Sequence, residues 1–345
     1  MTRVRVLFLG GTIAMTKGEP TGGELLPELT GSEVLVGVPV PADLVVESLD
    51  VAQVDSSALT FDTCLRVLDL ADEAVLGGAD GVVVVQGTDS LEETSFLWDL
   101  LWAHDGPLVV TGAMRSPDQP GADGPANLVA AIGAATSPQC RGQGVLVVVG
   151  DEIHAARFVA KRHAGSPAAF GSPELGPVGR VFEGAPVLLA RVDRRTPLPR
   201  PRPRDRPGER HWPRVGLVTA GLDDDPSAYL ALAGVSDGLV VEGFGAGQLR
   251  PEVAEALDDV VTRIPVLLAS RAGAGAVATR TYGGPGSGSD LHRRGLVPTG
   301  HLGALKARVL LRLVLAGLPD VRDGTAPDPA TTRQVVDTAF APYRP

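Results

Sequence analysis

Four short segments of this 345-residue chain bring hydroxyl, carboxylate and amine side chains to positions where chemistry is feasible. Gly10-Gly11-Thr12-Ile13-Ala14 follows an apolar run, and its two glycines let the backbone turn sharply and approach a ligand closely. The turn either presents the Thr12 hydroxyl and nearby N–H groups, or is a plain strand-to-loop turn with an incidental threonine. Gly87-Thr88-Asp89-Ser90-Leu91-Glu92-Glu93-Thr94 follows a second apolar run. Ser90 and Glu93 have capping-box spacing, which predicts a helix from Leu91. With that cap supplied, Asp89 is left to face outward rather than to act as the cap itself. Gly112-Ala113-Met114-Arg115-Ser116-Pro117 and then Asp123-Gly124-Pro125-Ala126-Asn127 read as a turn and a helix start with proline in the first turn. Arg115 is expected to be a structural ion-pair partner. Lys161 is one of three lysines, with Lys17 and Lys306, against 28 arginines. A lysine at 161 either meets a need that arginine cannot, or is a stray surface charge.

Two threonines, a carboxylate and a lysine define a narrow range of chemistry. Threonine is a poor nucleophile until a base takes its proton. A lysine desolvated in a pocket loses part of its preference for the charged form and can be that base. Asp89 can polarise the pair or hold a substrate ammonium, and glycine-turn N–H groups can stabilise an oxyanion. Such equipment suits acyl transfer at an amide without metal or organic cofactor.

Elements that would position these groups are visible on either side of them. Val4–Leu9, Val82–Gln86, Leu108–Thr111 and Val145–Val149 are short apolar runs that predict strands buried on both faces. Helical periodicity lies near Asp62–Leu76, Leu91–Ala103 and Pro125–Ala135. Strand–helix alternation predicts an α/β domain with a doubly wound, mostly parallel sheet. Ligands in such a sheet sit at the carboxyl ends of the strands, where the turns above begin. Residues 191–213 interrupt the pattern with six prolines and eight arginines against three acids, a local charge of +5. That composition excludes a helix or central strand and reads as an exposed linker, or else as a basic docking segment. Beyond it, Val215–Thr219, Leu239–Glu242 and Val266–Ala269 read as strands. Pro226–Ala233, Pro251–Thr262, Leu302–Leu315 and Thr331–Phe340 read as helices. Gly283–Ser289 is glycine-rich enough to predict a flexible surface loop. The expected organisation is therefore a larger α/β domain over 1–190, a linker over 191–213, and a smaller α/β domain over 214–345.

Composition removes other classes of function. Hydrophobic residues at 44% and charged residues at 21% belong to a globular chain. A net charge of −10 argues against a general nucleic-acid binder. No apolar run approaches the roughly 18 residues of a membrane span, and the N-terminus has no signal design, so a soluble cytoplasmic protein is expected. Cys64 and Cys140 offer no metal-ligand spacing and read as buried thiols.

Taken together, these motifs resemble the bacterial-type L-asparaginases of the asparaginase/glutaminase family over nearly the whole chain. Gly10–Ala14 resembles that family's first signature and Gln86–Thr94 its second. Thr111–Arg115, Asp123–Pro125, Lys161, Phe170-Gly171-Ser172-Pro173 and Lys306–Leu311 match further segments in the same order. The resemblance implies a larger N-terminal and smaller C-terminal α/β domain, no cofactor, and a homotetramer built as a dimer of dimers. It implies that Thr12 attacks the side-chain amide of L-asparagine and forms a covalent ester. Thr88, Asp89 and Lys161 would move protons and orient water, with Asp89 also gripping the α-ammonium. Ser56 with Ser57 beside it would hold the α-carboxylate, Gly11 and Gly87 would line the substrate, and the Ala113 carbonyl would accept from the amide nitrogen.

Some positions depart from the family pattern. The segment Met15–Leu29 has Thr16, Lys17 and Thr21 but not the usual tyrosine, and the only tyrosines are Tyr229, Tyr282 and Tyr343. The Gly286–Ser289 loop lacks the usual glutamate, leaving Asp290 nearby. Ala246 stands where an asparagine is expected, with Gln248 close by, and Gln86 and Ser90 replace the commoner His and Thr. Alternatives are a glutaminase or ammonia-releasing amidotransferase subunit, a weakly active binding relative, and a nucleotide-binding module resting on Gly243-Phe244-Gly245-Ala246-Gly247.

Overall fold

The computed structural model describes residues 1–17, 25–201, 204–206, 209–319 and 328–345. Thr21 and residues 202, 203, 207 and 208 of the Pro/Arg-rich stretch lie outside that set. The chain divides into two compact units, Met1–Leu198 and Pro199–Pro345.

In the first unit, β1 (Thr2–Phe8) runs into a 3₁₀ turn at Thr12–Ala14. A small antiparallel ladder follows, formed by β2 (Met15–Lys17) and β3 (Leu25–Pro27). Helix α1 (Gly31–Leu35) opens with a complete capping box between Thr30 and Glu33. Then come β4 (Leu44–Asp50), α2 (Phe61–Leu76), β5 (Gly81–Val85), α3 (Leu91–Leu101), β6 (Leu108–Thr111), α4 (Gly124–Thr136) and β7 (Val145–Val149). Short strands complete the unit: β8 (Glu152–Ala155), β9 (Ala160–Lys161), β10 (Phe170–Gly171), β11 (Gly179–Phe182) and β12 (Ala185–Leu188).

The main sheet has eight strands in the order β12-β11-β8-β7-β6-β5-β1-β4. β4, β1, β5, β6 and β7 are parallel, while β8, β11 and β12 extend the sheet antiparallel. Every residue of β5, β6 and β7 is buried, because helices cover both faces; hence their unbroken Val and Leu runs. Helix α2 turns Cys64, Val67, Leu68 and Ala71 inward, the 3–4 residue spacing of one helical face. Its Thr60 side chain caps it by accepting the Thr63 N–H.

Strand β4 is not among the strands expected from the sequence. It is an edge strand, so Glu47, Ser48 and Asp50 break its apolar signal. Arg3 and Arg5 reach the Glu47 carboxylate at 3.0 and 2.6 Å and tie the edge to β1. This strand decides the topology. The chain passes from β1 to β4 on one side and then to β5 on the other. The strand order therefore reverses between β1 and β5, and open sheets of this kind bind ligands at the carboxyl ends of the strands at such a reversal. The turns leading out of those two strands hold Thr12 and Thr88.

The second unit begins with an isolated ladder of β13 (Arg204–Arg206) and β14 (Glu209–His211) inside the Pro/Arg-rich stretch. Among the described residues of that stretch no central strand forms, but the stretch is not wholly irregular. Its core is a four-stranded parallel sheet of β15 (Val215–Thr219), β16 (Gly238–Gly243), β17 (Val266–Ser270) and β18 (Val297–Pro298), in that order. The helices are α5 (Ser227–Gly234), α6 (Pro251–Ala256), α7 (Asp258–Val261), α8 (Gly288–Arg294), α9 (Ala304–Ala316) and α10 (Pro329–Phe340). The single helix expected over Pro251–Thr262 is two, parted at the buried Leu257, whose ψ is −13°. The glycine-rich segment is not all surface loop. Ser287 accepts the Asp290 N–H and starts α8, and Ser287 and Gly288 are buried. The Ser-x-x-Asp spacing carried that signal, and the glycine content hid it.

Candidate active site

Glycines set how closely the turns of the first unit meet. Gly10 and Gly11 have φ of 93° and 90°, a region that favours glycine. A Cβ on Gly11 would lie 2.3 Å from the Gly87 Cα and N. The turn after β1 is thus pressed backbone to backbone on the turn after β5. A Cβ on Gly87 would meet the Ser56 Oγ at 2.8 Å, and one on Gly112 would meet the Gln86 carbonyl oxygen at 2.4 Å and the Thr88 Cγ2 at 3.3 Å. A Cβ on Gly124 would meet Ile13 at 2.7 Å and the Ala113 Cβ at 3.4 Å. These chain segments therefore converge at the carboxyl ends of β1, β5 and β6, through glycine approaches that a side chain would block. Gly11 and Gly87 touch directly, with Thr12 and Thr88 each one residue further on.

The Lys161 Nζ donates to the Thr88 Oγ1 at 2.9 Å and to the Asp89 Oδ1 at 2.6 Å. Thr88 is buried, the Lys161 side chain is 16% exposed and that of Asp89 is 69% exposed. The amine thus bridges a sheltered hydroxyl and a carboxylate open to solvent. Nζ lies within proton-transfer reach of the threonine oxygen, as a relay requires. Residues that are 73 apart in sequence meet because β9 crosses α3.

Ser56 opens a 3₁₀ turn at Ser56–Ala58 and is buried. Its Oγ accepts the Asp89 N–H at 3.0 Å, and its hydroxyl proton remains free to be donated. Ser57, in the same turn, is exposed. Ser90 departs from expectation. Helix α3 does start at Leu91, but the Ser90 side chain does not cap it. Its hydroxyl donates instead to the Ser56 carbonyl at 2.7 Å. The turn carrying Asp89 is thus stitched to the turn carrying Ser56 by two hydrogen bonds, both accepted by Ser56. Three acids, Asp89, Glu92 and Glu93, stand at the positive N-terminal end of α3 in place of a side-chain cap.

The turn that presents Ala113 is held by Asp123 and Asn127, which the sequence places in a turn and helix start without a bracing role. Asp123 accepts the Met114 and Arg115 N–H groups at 3.0 and 2.9 Å. The buried Asn127 donates to the Gly112 carbonyl at 3.0 Å and accepts the Gly150 N–H at 2.9 Å, locking the ends of β6 and β7 together. Among the described residues Arg115 makes no ion pair, against expectation. It braces its turn through the Pro120 and Gly121 carbonyls at 3.2 and 3.3 Å. Gln86, buried beneath Thr88, accepts from Thr94 at 2.9 Å and donates to the Gly87 carbonyl at 3.1 Å. Ser172, after β10, hydrogen-bonds the buried His154 at 3.0 Å.

Two departures from the family pattern also resolve into contacts. In the segment after Thr12, the Thr16 hydroxyl donates to the Glu28 carboxylate. Asp290 is committed to its own helix: it accepts the Gly286 N–H at 2.9 Å and pairs with Arg294 at 2.9 Å. Burial pushes the Asp290 carboxyl up, but the Gly286 N–H and the Arg294 guanidinium outweigh it and hold the group below the ordinary carboxylate range. Elsewhere in the second unit, Gly243–Gly247 folds back so that Phe244 and Gln248 bridge, and no helix starts until Pro251. A dinucleotide-binding turn would open straight into a helix. Among the described residues, no group of three or more His, Cys, Asp or Glu side chains could hold a metal ion, and no helix is long and apolar enough to cross a membrane.

Residues 3–193 match the family model for the asparaginase N-terminal domain, and residues 214–323 match that for the glutaminase/asparaginase C-terminal domain. The chain is 36% identical to a probable L-asparaginase of Deinococcus radiodurans, over 93% of this chain and 96% of that protein. It is 31% identical to an L-asparaginase of Bacillus licheniformis, over 91% of this chain and 95% of that one. The solved structure of a probable cytoplasmic L-asparaginase from Campylobacter jejuni superposes with a TM-score of 0.80 at 28% identity, covering 97% of this chain and 99% of that one. With both domain models matched in order over most of the chain, the chain belongs to the asparaginase family.

Proposed function

We propose that this protein hydrolyses the side-chain amide of L-asparagine to L-aspartate and ammonia. The observation that carries the reading is the Lys161 Nζ set between the Thr88 Oγ1 and the Asp89 Oδ1, at the sheet's switch point, with Thr12 across a glycine-to-glycine contact. Thr12 attacks the amide carbon as its hydroxyl proton passes to the Thr88–Asp89–Lys161 relay. The tetrahedral oxyanion faces N–H groups of the glycine turns at Gly11 and Gly87. The Thr88–Asp89–Lys161 relay delivers a proton to the leaving nitrogen, which the Ala113 carbonyl orients. Ammonia departs and leaves an ester on Thr12. The same relay then orients a water that attacks the ester, releasing aspartate and restoring the hydroxyl. Asp89 is open enough to take the α-ammonium, and Ser56 with Ser57 takes the α-carboxylate. No organic cofactor or metal enters these steps.

The working assembly in this reading is a homotetramer, a dimer of dimers, in the cytoplasm. Its first domain (1–190) carries the chemistry, joined through 191–213 to a second (214–345). Ammonia release with L-asparagine, D-asparagine and L-glutamine tests the proposal. L-asparagine should be the best substrate by kcat/KM, and Thr12→Ala should abolish release while circular dichroism and the melting curve stay unchanged. Full activity in folded Thr12→Ala would refute the nucleophile assignment.

A further inference from the structure

Lys161 lies on β9, a strand of two residues, paired with β10. Such a short ribbon fixes little by itself. In its ladder the Arg162 N–H donates to the Ala169 carbonyl at 2.6 Å, so Arg162 and Ala169 form the hydrogen-bonded pair. Lys161 and Phe170, one step along, are the non-hydrogen-bonded pair. The Lys161 N–H therefore points out of the ribbon, away from β10, and has no ladder acceptor. It points to α3, where the Glu92 Oε2 accepts it at 2.6 Å. This bond joins the backbone of the amine-bearing residue to the first turn of the helix that follows Thr88 and Asp89. Lys161 is thus held to one short segment at both ends: its Nζ by Thr88 and Asp89, its N–H by Glu92.

We propose that Glu92 is a positioning residue for Lys161. Its carboxylate clamps the backbone from which the amine projects, and so sets the reach of Nζ to Thr88. A charge-assisted bond of this kind is short and strong. Without it, β9 keeps only its ladder with β10, and Nζ drifts from the threonine oxygen. Misplacement by about 1 Å costs on the order of a hundredfold in rate. The effect should fall on kcat, because Glu92 touches the proton relay through Lys161 and not the substrate. The inference rests on the proposed amide hydrolysis for its kinetic half only.

The test compares Glu92→Ala and Glu92→Gln. Gln keeps an oxygen that can accept the same N–H, so it should rescue what Ala loses. Glu92→Ala should lower kcat on L-asparagine by roughly tenfold or more, with KM within about threefold of wild type. Glu92→Gln should keep kcat within about threefold. A second readout is independent of activity. With only three lysines, ¹⁵N-lysine labelling yields three lysine amide signals, and Lys161 is identified by its loss in Lys161→Arg. Its amide should exchange with solvent at least about tenfold faster in Glu92→Ala than in wild type or Glu92→Gln. The proposal is overturned if Glu92→Ala keeps wild-type kcat, if the Lys161 amide exchanges no faster, or if Glu92→Gln is as damaged as a folded Glu92→Ala. A wild-type protein that releases no ammonia from any amide would overturn the functional reading instead, and the exchange measurement would still decide the clamp.

Discussion

Gly11→Ala is the sharpest perturbation of the contact that joins the two threonine turns. Two costs can be separated. The first is conformational: with φ at 90° and ψ at −180°, a region almost confined to glycine, an L side chain is strained by about 1–3 kcal/mol. The second is steric. The new Cβ would stand 2.3 Å from the Gly87 Cα and N and 2.9 Å from the Gln86 carbonyl carbon, whereas ordinary contact begins at 3.4 Å. All three atoms are backbone, and Gly87 opens the tightly packed turn after β5, so no side chain can swing aside. The turns must part by about 1 Å, which costs on the order of a hundredfold in kcat/KM. Overpacking of this kind adds about 1–3 kcal/mol of destabilisation. Gly37→Ala is the control for a positive-φ glycine without the steric clash, because Gly37 has φ of 82° and open space around it. The assay is ammonia release from L-asparagine beside a thermal melt. Gly37→Ala should keep wild-type turnover. Gly11→Ala should lose about two orders of magnitude and melt roughly 2–10 °C below Gly37→Ala. If Gly11→Ala releases ammonia at the Gly37→Ala rate and melts with it, the glycine contact is not what sets Thr12 against Thr88, and the site has been wrongly assembled.

Asn127→Ala should destabilise the first unit by about 2–5 kcal/mol in denaturant melts, since it orphans the Gly112 carbonyl and the Gly150 N–H together. A midpoint shift under about 0.5 kcal/mol would mean that water or neighbours replace both bonds. The thiols should be silent in the native protein. Burial pushes Cys64 up to about 12 and Cys140 up to about 11. Both therefore remain protonated at pH 8, and a thiol reagent should label neither until denaturant is added. Stoichiometric labelling without denaturant would contradict the packing around α2 and the turn before β7.

Much of this protein is written locally, and local patterns survive without a fold. Val82–Val85, Leu108–Thr111 and Val145–Val149 predict buried parallel strands because strands covered on both faces leave no room for polar alternation. The two glycine–threonine turns and the scarcity of lysine single out Thr12, Thr88, Asp89 and Lys161 by residue type alone. Tertiary structure decided the rest, for reasons of distance and exposure. β4 is hidden in the sequence because an edge strand need not be apolar, yet its place beside β1 creates the switch point. Ser90 satisfies a local capping pattern but spends its hydroxyl on Ser56, which lies 34 residues away. Glu92 and Asn127 look like ordinary helix residues until the fold sets an outward-pointing N–H or a strand-end carbonyl in front of them. Periodicity and turn chemistry report what a segment will be. Only the packed chain determines which distant atom each polar group finds, because that choice is made by backbone approaches that glycine alone permits.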